Sequence, residues 1–325
     1  MINNYSRGAL VIAHPSHELR VHGWLQKARP RVFVLTDGSG REAHPRLVST
    51  TKMLQDLDVE TGSVYGRVSD RDVYNAFLRR DFSFFIGLAE ELAGEFYSHQ
   101  IEYVVGDSAE GYSPTHDACR LLVDAALEIV ARRYQRQIAN FDFAVVGLPE
   151  ESEAALSNEA IWIQLDEEAF ARKVAAARAY SGRLALDVDA ALLGAPFLGV
   201  RRLSEPQLAG EVDQELNAEI VRTLLANTRL AGKFKHVFEG IELARFRTEC
   251  LRPVRLPSAH QYGSDEGLFY EMYGENMVAA GHYRITIRYA QHFRPLAEAV
   301  WRHVESAQDH SSLVQPSRRG ESASG

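Results

Sequence analysis

The stretch that most constrains what this chain can fold into is Ala9-Leu10-Val11-Ile12-Ala13-His14-Pro15-Ser16-His17-Glu18. Five apolar, partly β-branched residues predict a short buried strand. The chain then changes character at His14. Pro15 suits the first turn of a helix, where its missing N–H has no partner in any case. Glu18 falls in that turn, where the helix dipole favours a carboxylate. His14 and His17 are three residues apart, a spacing that puts both on one face of a helix. Both are therefore expected in one crevice at the carboxyl end of a strand, where open α/β sheets take their ligands.

The rest of the first half alternates in the same way. Arg31–Thr36, Ile101–Gly106 and Phe141–Val146 read as further strands. Helices are expected over Leu19–Ala28, Arg46–Leu57, Asp72–Arg80, Phe84–Tyr97 and Asp117–Arg136. Strands alternating with helices predict an α/β fold with a mostly parallel sheet covered on both faces. The polar loops after the first and third of these strands then fall on one rim. The second half is less regular. An edge strand is expected at Ile161–Leu165, and helices at Asp166–Tyr180, Val200–Ala226, Gly267–Ala280 and Tyr283–Val304, the last interrupted at Arg294-Pro295. Leu251–Pro257 reads as a loop. The expected organisation is a core over 1–150, a mainly helical, helix-rich extension packed on it over 151–306, and a compositionally disordered tail over 307–325.

Composition excludes several functions. A formal net charge of −8 over 325 residues gives no footprint for nucleic acid or an anionic membrane. Two cysteines, Cys119 and Cys250, without a CxxC spacing, fit a reducing compartment. No secretion signal opens the chain, and no apolar run approaches the ~20 residues of a membrane helix. A cytoplasmic protein with a small-molecule substrate is expected, and a homo-oligomer is compatible with this composition. Gly38-Ser39-Gly40 lacks the remaining glycine of a dinucleotide fingerprint, which excludes a nicotinamide enzyme.

His116 ends the loop Glu110–Thr115, where the third strand hands over to its helix. With His14 and His17 it forms a set of three imidazoles on two strand-end loops, a donor set that suits an open zinc site. The same neutral shell also suits iron or another divalent metal. The plain alternative is that His14 caps a helix and His17 is solvated.

Ala13-His14-Pro15-Ser16-His17-Glu18 after one strand, Leu35-Thr36-Asp37-Gly38 after the next, and Ser113-Pro114-Thr115-His116 before a helix resemble the motifs of the PIG-L/LmbE-like zinc-dependent N-deacetylases, in order and in spacing. The resemblance covers about the first 150 residues. It implies a Rossmann-like fold and a metal-dependent hydrolase acting on an N-acyl sugar or similar amide. Carried over by position, His14 and His116 match zinc ligands, and His17 stands where the family has a ligand aspartate. Ser16 replaces the general-base aspartate and Ser113 replaces a second active-site histidine. Glu18, Asp37 or Asp107 is then left to move the proton. The alternatives are a catalytically impaired metal- or ligand-binding homologue and different chemistry at a three-histidine metal. Asp37 is a candidate to orient a liganding histidine, or simply turn chemistry. Tyr112 is a candidate oxyanion donor, and Arg46 a candidate contact to a polar substrate.

Overall fold

The computed structural model describes residues 7–40, 46–151, 155, 157–180, 183–197, 235–255 and 268–307. The expected helix over 200–226, the tail beyond 307 and parts of 251–257 and 267–280 lie outside them. The first apolar run forms β1 (Gly8–Ile12), which pairs in parallel with β2 (Arg31–Thr36) on one side and β4 (Tyr103–Asp107) on the other. β3 (Thr61–Val68) lies beside β2 and β5 (Ala139–Phe143) beside β4, both parallel. β7 (Thr248–Pro253) then pairs antiparallel with β5 and with the edge strand β6 (Ile161–Gln164). Among the described residues the result is one sheet of seven strands, in the order β3-β2-β1-β4-β5-β7-β6.

Successive residues of a strand face opposite sides, and β1 feeds both cores. Ala9 and Val11 pack with Phe33, Leu35 and Val104 against α4 (Phe82–Ser98), α5 (Pro114–Tyr134) and the helix Arg294–Ser306. Leu10 and Ile12 pack with Val32, Val34 and Val105 against α1 (His22–Ala28), α2 (Leu47–Asp56), α6 (Glu167–Ala179) and α7 (Arg183–Leu192). Burial of each large apolar side chain contributes about 1.5–3 kcal/mol. That double burial explains why β1 reads as an unbroken apolar run. No helix among the described residues is long and apolar enough to cross a membrane. Cys119 and Cys250 are free, buried thiols.

Four expectations are corrected. β3 has no counterpart in the sequence reading, because Thr61-Gly62-Ser63-Val64-Tyr65-Gly66-Arg67-Val68 is polar, half-exposed and broken by two glycines. Gly62 is required there, since a Cβ would sit 2.0 Å from the Phe33 ring. Leu251–Pro253, expected as loop, is strand, its proline standing at the strand end where a missing donor is tolerated. The expected fourth strand starts and stops earlier, at Ala139–Phe143, so Ala144–Val146 leaves the ladder. Finally, the helix expected from Tyr283 begins only at Arg294, after one π-turn over Tyr289–Phe293, with Pro295 in its first turn.

β7 also locks the two halves together. Glu249, fully buried on it, accepts from the N–H groups of Gly23 (2.8 Å) and Trp24 (2.9 Å) at the start of α1. Those donors have no partner inside a helix, and the same carboxylate pairs with buried Lys173 at 2.8 Å. Removing one member of a buried pair leaves the other charge stranded, at about 3–5 kcal/mol. Glu249→Ala should therefore lower the unfolding free energy by about 3 kcal/mol or more in denaturant titration. The double variant Glu249→Leu, Lys173→Met should recover much of the loss. A loss under about 1 kcal/mol in the single variant would contradict this role.

Candidate functional site

Strand order reverses between β1 and β4, and the crevice this leaves at the carboxyl ends of the strands is where open α/β sheets bind ligands. His14, Ser16 and His17 follow β1, Thr36 ends β2, Asp70 follows β3 at the start of α3 (Asp70–Arg79), and Asp107 ends β4. His116 lies in the first turn of α5, which Ser113 caps and Pro114 opens. The three imidazoles meet. Their ring centres are 5.4 Å (His14–His17), 5.1 Å (His14–His116) and 4.6 Å (His17–His116) apart.

Two of the rings are anchored from behind. His14 Nδ1 lies 2.8 Å from Thr36 Oγ1 and 3.1 Å from Asp70 Oδ1. The Thr36 hydroxyl donates to the Ala13 carbonyl at 3.1 Å, so toward His14 it is the acceptor and Nδ1 carries the hydrogen. His17 Nδ1 donates to Asp107 Oδ2 at 2.7 Å, and the same oxygen accepts from the Ala13 N–H at 2.8 Å. In both rings Nε2 is then the nitrogen with a lone pair for a ligand, the tautomer that metal-binding histidines adopt. His116 Nδ1 is buried with no hydrogen-bond partner.

Charges in this crevice are set by burial. Burial pushes the Asp107 carboxyl up to about 6, against the pull of His116, the Ala13 N–H and His14. Burial, then the neighbouring His17 and His14, holds His116 well below the ordinary histidine range, as a neutral imidazole. Asp70 goes the other way: burial raises it, but its contacts with His14 and with the Gly40 N–H prevail and hold it below the usual carboxylate range.

Imidazoles on one tetrahedral zinc, at ~2.0–2.1 Å from nitrogen to metal, have ring centres roughly 5 Å apart. The spacing and the anchored Nδ1 atoms fit such an ion, and the orphaned His116 nitrogen is the kind of buried polar atom an absent ligand leaves. As the side chains stand, however, no group of three His, Cys, Asp or Glu among the described residues is already arranged to hold a metal. The rings meet edge to face, at 62–86°.

The three histidines line a cavity of about 70 Å³ with Pro15, Ser16, Arg46, Tyr112, Val145 and Val146. Ser16 thus lines the cavity beside the histidines, and its backbone is left-handed (φ 84°), a conformation that costs a non-glycine residue. Tyr112 lies 5.9 Å from the His116 ring, centre to centre, and stacks on Phe269 at 5.0 Å. Arg46 is exposed at the mouth, its Nε donating to the Gly38 carbonyl. Two candidates are placed differently. The Asp37 carboxylate accepts from the Ser39 N–H at 2.9 Å, which is turn chemistry, and the carboxylates on the histidines are Asp70 and Asp107. Ser113 accepts from the Thr115 N–H as a helix cap and does not line the cavity. Asp70 escaped the sequence reading together with the strand that delivers it.

No protein-family model matches the chain, and no curated protein matches it. Among solved structures it is similar to the zinc-inhibited form of teicoplanin deacetylase Orf2, at 14% identity over 77% of this chain and 99% of that one, TM-score 0.44. It is also similar to the A40926 pseudoaglycone deacetylase Dbv21, at 16% identity over 78% and 99%, TM-score 0.42. A third is a deacetylase triple mutant of the teicoplanin biosynthetic pathway, at 15% identity over 56% and 84%, TM-score 0.38. At these values the likeness concerns the course of the chain, and the chemistry of the site follows from its own side chains.

Because Ser16 is left-handed, Ser16→Gly should stabilise the fold by up to about 1 kcal/mol, and Ser16→Val should destabilise it by more than that. Thermal unfolding of the two variants checks the sign. Equal effects would mean that the turn relaxes freely.

Proposed function

We propose that this chain is a divalent-metal-dependent amide hydrolase of the N-deacetylase kind, with zinc as the favoured ion and an N-acyl sugar or similar N-acyl compound as substrate. The observation that carries this reading is the meeting of His14, His17 and His116 at the strand ends, two of them anchored through Nδ1 on Asp70, Thr36 and Asp107. These three histidines would hold the ion, which supplies Lewis acidity toward an amide carbonyl and toward water.

The chain's own groups divide the remaining work. Asp70, Thr36 and Asp107 fix the tautomer and direction of two rings. The Tyr112 phenol, beside His116, is placed to donate a hydrogen bond to an oxyanion or a proton to the departing amine. Ser16 offers a hydroxyl where a base would serve best. Arg46, exposed at the mouth, meets the polar body of the substrate outside. A cavity of about 70 Å³ is far below the ~300–1,000 Å³ of pockets that enclose whole small ligands. Only the acyl end enters.

One observation favours a second reading, a binding protein that has lost catalysis: no carboxylate lines the cavity among the described residues. Hydrolysis of N-acetylated amino sugars, with zinc and after chelation, separates the two. On the hydrolase reading activity is present and zinc-dependent. Ser16→Asp, which restores a carboxylate in a conformation aspartate tolerates, should then raise it by roughly 10²–10⁴-fold. Ser113→His is not a useful companion, since it removes the cap of α5 at a cost of ~1 kcal/mol. Unchanged absence of activity, with zinc bound in both proteins, would overturn the hydrolase reading.

Zinc content itself should depend on His17 and not on its buried neighbour. His17→Ala should lose the metal on dialysis, while His22→Ala should keep it, since His22 starts α1 and is absent from the cavity lining.

A further inference from the structure

Tyr112 lines the cavity from the loop that joins β4 to α5. The two residues before it are held by three different elements. The Glu110 carboxylate accepts from three successive N–H groups after β5, Val145 (3.2 Å), Val146 (2.8 Å) and Gly147 (3.2 Å). The Gly111 N–H donates to Asp117 Oδ1, in the first turn of α5, at 3.1 Å. The Gly111 carbonyl accepts from the N–H of Phe269 at 2.8 Å. Gly111 makes both bonds with a left-handed backbone (φ 69°), a conformation open to glycine.

Phe269 is the first residue of the helix Phe269–Ala279, in the irregular second half of the chain. The N–H groups at a helix start have no partner within the helix, and this one is taken up by the loop. The side chain of the same residue, buried at 2% exposure, stacks on the Tyr112 ring at 5.0 Å and 22°. That is the offset, near-parallel arrangement aromatic pairs prefer. Phe269 is backed in turn by Tyr273, stacked at 6.1 Å and 17°. Tyr112 is thus in ring contact with Phe269 as well as with His116. One residue of the second half fixes the tyrosine twice, through the main chain of its neighbour and through its ring.

We propose that Phe269 is a positioning residue for Tyr112, so that the helix-rich second half of the chain completes the site built on β1 and β4. This rests on the amide-hydrolase reading above, in which the Tyr112 phenol donates to an oxyanion, and adds what holds the phenol in place. A donor favours an anion most when it is aimed before the charge forms. The bond to Gly111 fixes where the tyrosine starts, and the stack fixes the plane in which its ring lies. With an aliphatic side chain at 269 the first remains and the second is lost.

Calorimetric titration of the zinc-loaded full chain with methylphosphonate, a tetrahedral anion, tests this without requiring turnover. Tyr112→Phe should weaken binding by roughly 10–100-fold, the loss of one hydrogen bond to a charged group. Phe269→Leu keeps an apolar side chain and the N–H to Gly111, and should weaken binding by about tenfold or more. Phe269→Tyr, which keeps the ring, should bind as the unaltered chain does. In the double variant Tyr112→Phe, Phe269→Leu the loss should be no greater than in Tyr112→Phe alone, because no phenol is left to aim. Losses that add in the double variant would mean that Phe269 acts only through the stability of the fold, and would overturn the proposal. Undiminished affinity in Phe269→Leu, no effect of Tyr112→Phe, or no methylphosphonate bound would overturn it as well. The coupling in protein that hydrolyses no N-acyl compound would leave the role of Phe269 standing and overturn the hydrolase reading instead.

Discussion

The structure depends on one oxygen atom. Asp107 Oδ2, at the end of β4, takes the N–H of Ala13 and the Nδ1 hydrogen of His17 together. The first bond stitches the ends of β1 and β4 at the point where strand order reverses, and the second points an imidazole into the crevice this reversal creates. A fully buried carboxylate is costly unless it is hydrogen-bonded, and burial alone drives Asp107 upward in pKa. Its two bonds make the position tolerable, and they couple the sheet to the site. Asp70, at the start of α3, stands behind His14 in a similar way, with Oδ1 3.1 Å from Nδ1.

This arrangement gives His17 a physical rationale. An aspartate there, as in the motif this stretch resembles, would bring one negative charge to the ion. An imidazole brings none, but Asp107 stands directly behind it. The charge is moved back by one ring and not lost. Ser16 has no such compensation: among the described residues no carboxylate lines the cavity in its place, and the residue keeps a left-handed backbone that serine does not favour. The turn at the end of β1 thus holds a strained serine in the cavity wall.

Much of this was legible in the sequence, for reasons that differ by residue. β1 and β2 were readable because burial on both faces writes unbroken apolar runs, and His14, His17 and His116 because each stands where such a run ends or a helix begins. Asp70 was not readable, because β3 carries its weight through close packing at Gly62 and exposed polar residues, and neither leaves a periodic signal. β7 was hidden by Pro253, and with it the contact of Glu249 to α1, which joins residues more than 200 positions apart. Glu110 and Arg20, which hold the backbone of Ala144–Gly147, stand in no motif or spacing that marks them in the sequence. Their role exists only because β5 ends three residues earlier than its apolar run, which frees the backbone of Ala144–Gly147 for them to hold.

Whether three histidines from two strand-end loops share one ion is tested, without assuming any reaction, by diffraction from zinc-soaked crystals recorded on both sides of the zinc absorption edge. A shared ion gives a single strong anomalous peak in the crevice between β1 and β4, with a nitrogen of each of His14, His17 and His116 at ~2.0–2.1 Å. A crevice without a peak, or a zinc bound through only one of the three, would contradict it.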